Sequence, residues 1–198
     1  MTRNGNSVNI ARDDKAYHHG DLRSALVETG LEMLRNRSVD ELSLREMART
    51  VGVSATAVYR HFSDKQALLR ALAMEGLDML ARNQKRAASD AGGGREGLVE
   101  SGLAYVRFAV DHPALFRLIM GKAPAVDLLT APDDRVGEAM RGLRLGIAEV
   151  NQGGEPGSRA EILAAWSMVH GAAMLTLDGL VAYDEELVRA MLSRRFAR

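Results

Sequence analysis

Cysteine is absent from this chain, which removes disulfides, thiolate zinc sites and cysteine nucleophiles together. Aromatic residues make up only 5% of it, with a single tryptophan, Trp166. Its four prolines, Pro113, Pro124, Pro132 and Pro156, all lie in the C-terminal half, where they divide a helical pattern into pieces. The β-branched and aromatic alternation of strands is missing throughout, so the expected fold is all-α. Charge of one sign is lacking too: 26 basic residues balance 26 acidic ones, so any contact with nucleic acid must come from a local patch. The first twenty residues have no apolar core of signal-peptide length, and no later run reads as the roughly 18 apolar residues of a membrane span. A cytoplasmic protein with no membrane partner is expected. Also missing are a glycine-rich phosphate loop, an HExxH pair and a nucleophile elbow, which argues against an enzyme and against a bound cofactor or metal. His18-His19 has no carboxylate at ligand spacing, so no metal pair is read there.

What is present is a chain of 198 residues, 46% hydrophobic and 26% charged, the composition of an ordinary globular protein. Its most informative stretch is SLREMARTVGVSATAVYRHFSDK, residues 43–65. Leu44, Met47, Ala48 and Val51 share one helical face. Gly52 suits a turn that needs positive φ, and Ser54 is a good N-cap for a second short helix. Val58 and Phe62 point inward on that helix; Ala55, Thr56, Ala57, Tyr59 and Arg60 form a light outer face. Two short helices across a glycine make a helix-turn-helix, although a helical hairpin in any all-α protein pairs its faces the same way. Charge favours the first reading. From Ser43 to Arg70 there are five basic residues (Arg45, Arg49, Arg60, Lys65, Arg70) against Glu46 and Asp64, with His61 as a further donor, a surface suited to phosphate.

The rest falls into order around this stretch. Residues 1–16 read as a polar, flexible arm in which Arg3, Arg12 and Lys15 are offset by Asp13 and Asp14. A first helix opens at Asp21 and braces the helix-turn-helix, so residues 17–65 form one domain and 66–198 a second. Asp64 caps a long helix running nearly to Gly92, followed by helices at GREGLVESGLAYVRFAVD and ALFRLIM. GKAPAVDLLTAP reads as a loop, DDRVGEAMRGLRLGIAEVNQ as one further helix. The last two helices are expected from Ser158 to about Gly179 and from about Asp184 to Phe196. The first of these is apolar over too wide an arc for one core-facing stripe, which points to a homodimer through the last two helices; a deeply buried helix of a monomer is the alternative.

At YHHGDLRSALVETGLEML, and more at LREMARTVGVSATAVYRHFSDKQALL, the sequence resembles the TetR family of bacterial transcriptional regulators. DHPALFRLIM and AWSMVHGAAMLTLDG are similar to a subgroup whose effector domain carries a Trp…His-Gly motif, here Trp166, His170 and Gly171. The resemblance implies a helix-turn-helix that binds double-stranded DNA, a C-terminal domain that encloses a small-molecule effector, and a homodimer. Residue by residue, it implies that Tyr59, His61 and Lys65, with Ser43 at its helix start, grip phosphates, and that Arg45 with Ala55, Thr56 and Ala57 behind the Ser54 cap faces the bases. Arg60 would contact base or phosphate. Thr56 stands where the family often has glycine or proline and Ala57 where threonine is frequent. Base-edge hydrogen bonds are then few, and DNA shape is expected to carry part of the specificity. For the effector site, Leu77, Tyr105, Phe108, Phe116, Met120, Trp166 and His170, with Arg107 as a polar tip, suggest an adaptable, mostly apolar pocket. The functional expectation is a homodimeric repressor released from a palindromic operator by its ligand. The competing reading is an all-α carrier or enzyme whose helix-turn-helix is structural.

Overall fold

The computed structural model describes residues 22–122, 127–151 and 154–196. The expected arm, the Asp21 cap and the His18-His19 pair lie outside these residues. Among the described residues the chain is all-α, with nine α-helices: α1 (Leu22–Met33), α2 (Leu44–Val51), α3 (Ala55–His61), α4 (Lys65–Asp90), α5 (Gly94–Asp111), α6 (Pro113–Gly121), α7 (Glu138–Val150), α8 (Arg159–Leu177) and α9 (Glu185–Phe196), plus a 3-10 turn at Val39–Glu41.

The first three helices pack around α4's first turns. Met47, Val58 and Leu68 are fully enclosed, and Leu26 and Leu72 join them from α1 and α4. Gly30 on α1 is the point of closest approach: a Cβ there would lie 2.8 Å from a Leu72 methyl. Gly52 ends α2 with φ 78° and ψ 30°, the left-handed cap that a side chain resists. The Val53 amide then returns to the Ala48 carbonyl at 2.9 Å, and Ser54 Oγ accepts from the Ala57 amide at 3.2 Å to start α3. The short link between α2 and α3 is therefore closed at both ends by local hydrogen bonds.

α5 is the hub of the remainder. It packs against α4, α6, α7, α8 and α9, and Leu103, Val106 and Ala109 are sealed inside. Packing against five helices explains why its sequence is apolar beyond a single stripe. Pro113 opens α6 in its first turn, where its missing N–H costs no helical bond. α6 crosses α4 at Gly76, with Leu115 close enough that a Cβ would meet its Cδ1 at 2.7 Å.

Two sequence expectations need correction. The helix expected from Asp133 begins only at Glu138, with Gly137 as its cap. Pro132 to Arg135 instead forms a turn closed by the Arg135 amide on the Pro132 carbonyl at 2.9 Å; residues 133–135 are helix-compatible, but this turn and the extended backbone at Gly137 break the run before Glu138. The second concerns α8, which is long and apolar enough, by length and composition, to cross a membrane. Its many alanines lift the average without forming an unbroken run of large apolar groups, which is why the sequence reading passed over it. Ile162, Ala165, Val169 and Ala173 are its buried positions.

Candidate nucleic-acid interface and effector cavity

The outer faces of α2 and α3 form one continuous surface. Ser43, Arg45, Ser54, Ala55, Thr56, Tyr59, Arg60 and His61 are exposed on it, with Ala57 and Lys65 half-buried at its edges. Tyr59 is 47% exposed, so it does not share the inward face of Val58 and Phe62. Both acids of the stretch are engaged elsewhere. Arg37 donates to Glu46 at 2.6 Å, and Asp64 accepts from the Ala67 amide at 2.7 Å, a bond that holds its carboxyl below the ordinary aspartate range. Arg45, Arg49 and Arg60, by contrast, form no ion pair among the described residues. A local cationic surface thus exists in a chain with no net charge, and it is a property of how the carboxylates are tied down.

Two expected contacts have internal duties. Ser54 Oγ serves as the α3 cap. Lys65 Nζ donates to the Asp40 carbonyl at 2.7 Å, joining the first turn of α4 to the 3-10 turn ahead of α2; an ammonium has three donors, so two remain. Ser43 makes no side-chain capping bond and is exposed. Arg23 of α1 stacks over Phe62 with its guanidinium carbon 5.5 Å from the ring centroid, fixing the end of α3.

Behind this surface, α4, α5, α6, α7, α8 and α9 enclose a cavity of about 610 Å³, within the range of small-molecule sites. Leu77, Tyr105, Met120, Trp166 and His170 line it, as does a stripe of α4 comprising Arg70, Met74, Leu80 and Gln84. Tyr105 Oη and His170 Nδ1 are 3.0 Å apart, the donor being set by the imidazole tautomer, and Met120 Sδ lies 4.0 Å from the phenol. Burial pushes the Tyr105 hydroxyl up to about 12 and moves His170 below the ordinary imidazole value, so both groups are neutral near pH 7.

Three of the sequence expectations for this site are corrected. Phe108 is buried on the other side of α5, against His112 with ring centroids 4.9 Å apart. Phe116 stands behind the wall, fully enclosed, its ring edge-on to Tyr105 at 5.4 Å. Arg107 also faces away, with its Nε donating to Glu185 at 2.7 Å. α5 packs against five other helices, so apolar character alone does not tell which of its residues meets the cavity. Arg70, Gln84, Lys122, Leu192 and Phe196 line the cavity without having been expected there. The spacing of Arg70, Met74 and Leu77 on α4 was the available signal for the first of them. Among the described residues, no group of three His, Cys, Asp or Glu side chains is placed to hold a metal ion.

Comparison with known proteins gives this architecture a context. Residues 26–72 match the family described as bacterial regulatory proteins, tetR family, and residues 98–195 match the tetracyclin repressor-like C-terminal domain. An HTH-type transcriptional regulator of Mycobacterium tuberculosis is 31% identical over 122 residues, 61% of this chain and 52% of that protein; the chain spans about half the length of the curated relatives it matches. A solved structure from Rhodococcus sp., of unknown function, is 31% identical with a TM-score of 0.72, covering 93% of this chain and 98% of that one. A tetR-family regulator from Streptomyces coelicolor is 25% identical with a TM-score of 0.61, covering 87% and 78%. Both the α1–α3 unit and the cavity-bearing helices thus match in the order in which they occur here, and the chain belongs to the TetR family of bacterial regulatory proteins.

Proposed function

We propose that this regulator is a homodimeric repressor that reads an operator through α3 and the start of α2, and that a small molecule entering the cavity releases it. The observation that carries the reading is the double duty of α4. Its first turn is tied to the helix-turn-helix by Lys65 and the Asp40 carbonyl, while Arg70, Met74, Leu77, Leu80 and Gln84 on the same rigid rod line the cavity. A ligand that favours a different tilt of α4 then moves α3, and by linkage DNA and ligand weaken one another equally.

Arg45, Thr56 and Arg60 are the candidate base contacts, with Ser43, Tyr59, His61 and Lys65 for phosphates. The second copy is expected on α8 and α9. Leu163 and Leu175 on α8, Leu180 and Val181 in the connection, and Leu187 on α9 are all large apolar side chains left exposed, and such a patch favours a self-complementary partner face.

Fluorescence anisotropy with DNA from the gene's own upstream region, at low salt and without ligand, tests the DNA half. Arg45→Ala is expected to weaken binding by about 1–3 kcal/mol and to relax preference at its base pair, and Tyr59→Ala to weaken all sequences alike. Wild-type protein that binds this DNA no better than random duplex, or variants that bind it unchanged, would overturn the assignment.

A further inference from the structure

The cavity's charge is one-sided. Its lining carries two cations, Arg70 and Lys122, and among the described residues no aspartate or glutamate. Both are exposed, and they are linked through Gln66 at one end of the cavity. Lys122 Nζ, at the end of α6, donates to Gln66 Oε1 at 2.8 Å, and Gln66 is four residues before Arg70 on α4, hence one turn away on the same face. Arg70 forms no ion pair among the described residues; its charge is felt by Asp64, whose carboxylate caps α4 through the Ala67 amide. From there the α4 stripe runs through Met74, Leu77 and Leu80, about 15 Å of apolar wall at 1.5 Å per residue, with Trp166 lining the same space.

Resting on the effector reading above, we infer that the ligand is an anionic amphiphile: a long-chain carboxylate whose head group pairs with Arg70 and Lys122 and whose hydrocarbon chain lies along α4. A neutral hydrocarbon would fill the wall but leave two cations facing its end; a cationic amphiphile would meet like charge. The pairing also reaches the helix-turn-helix. A carboxylate that draws the Lys122 ammonium toward the cavity lengthens its bond to Gln66, loosening the tie between the end of α6 and the first turn of α4.

Trp166 is the only tryptophan in the chain, so its emission reports binding. Dodecanoate, methyl dodecanoate and dodecyltrimethylammonium are titrated below their micelle concentrations into wild type and into Arg70→Met/Lys122→Met, whose fold is checked by thermal melting. Wild type is expected to bind the carboxylate at least about tenfold more tightly than the ester, a preference that shrinks with added salt. The double variant should lose this preference while keeping its affinity for the ester. Equal affinity for acid and ester in wild type, or preference for the ammonium, overturns the head-group assignment and leaves the cavity as effector site. No response of Trp166 or of melting temperature to any of the three overturns the amphiphile itself, head group and hydrocarbon chain alike. A preference for the acid that survives in the folded double variant overturns the roles of Arg70 and Lys122.

Discussion

Tyr105 and His170 form a hydrogen-bonded polar pair in the cavity wall, and their chemistry is set by what surrounds them. Trp166 and Phe116 flank the imidazole, with centroids 6.0 Å and 5.9 Å away, and desolvation disfavours its charged form. A base whose folded-state value is depressed binds fewer protons folded than unfolded, so stability rises with pH. Its contribution is fully present above the ordinary imidazole value near 6.5 and is lost as pH falls toward and through the lower folded value. Chemical denaturation at pH 7.5 and pH 5 should therefore show wild type losing more stability on acidification than His170→Gln. Equal losses would mean that this imidazole does not titrate within the wall. The aromatic neighbours were visible in the sequence as an apolar helix carrying one histidine; the hydrogen bond to Tyr105 was not, because it joins residues 65 positions apart.

Elements differ in how openly the chain announces them. α2 and α3 are short, and each of their features has a local cause: an apolar spacing, a glycine that must take positive φ, and a serine that caps. They were legible for that reason. The face that α5 turns to the cavity is decided by five neighbouring helices, so Tyr105 is on the wall while Phe108, three residues on, is behind it. The start of α7 was hidden likewise, since the composition of residues 133–137 does not forbid a helix and only their turn rules it out. Close crossings leave a clearer mark on the structure than on the sequence. At Gly76, α4 meets α6 so tightly that alanine would place its Cβ within 3.0 Å of Leu115 and Ile119. Gly76→Ala is expected to lower stability by about 1–3 kcal/mol through overpacking, despite the helix propensity gained. Thermal denaturation checks this; an unchanged or raised midpoint would show that Leu115 repacks freely. Because Lys122 caps the end of α6, the same substitution should alter the response to ligand in DNA binding.

At the scale of the whole molecule, the two ends of the structure have complementary needs. The cationic surface of α2 and α3 is a local one in a chain of zero net charge, and a small recognition surface gains specificity when it is used twice. The opposite end exposes Leu180 at 71% and Leu187 at 58%, apolar groups that a second copy would cover. A two-fold dimer places its recognition helices about 34–36 Å apart to enter successive major grooves, which demands an operator of two inverted half-sites. Light scattering should give a dimer for wild type and a smaller species for Leu175→Glu/Leu187→Glu, the folded state being followed by circular dichroism; an unchanged mass would place the interface elsewhere. The most direct measurement of the central claim is a footprint on the upstream DNA with these two proteins side by side. Wild type is expected to protect an interrupted palindrome with half-site centres about one helical turn apart, and the monomeric variant to leave it unprotected at the same concentration. Protection of a single half-site by wild type, or equal protection by the monomeric variant, would contradict it.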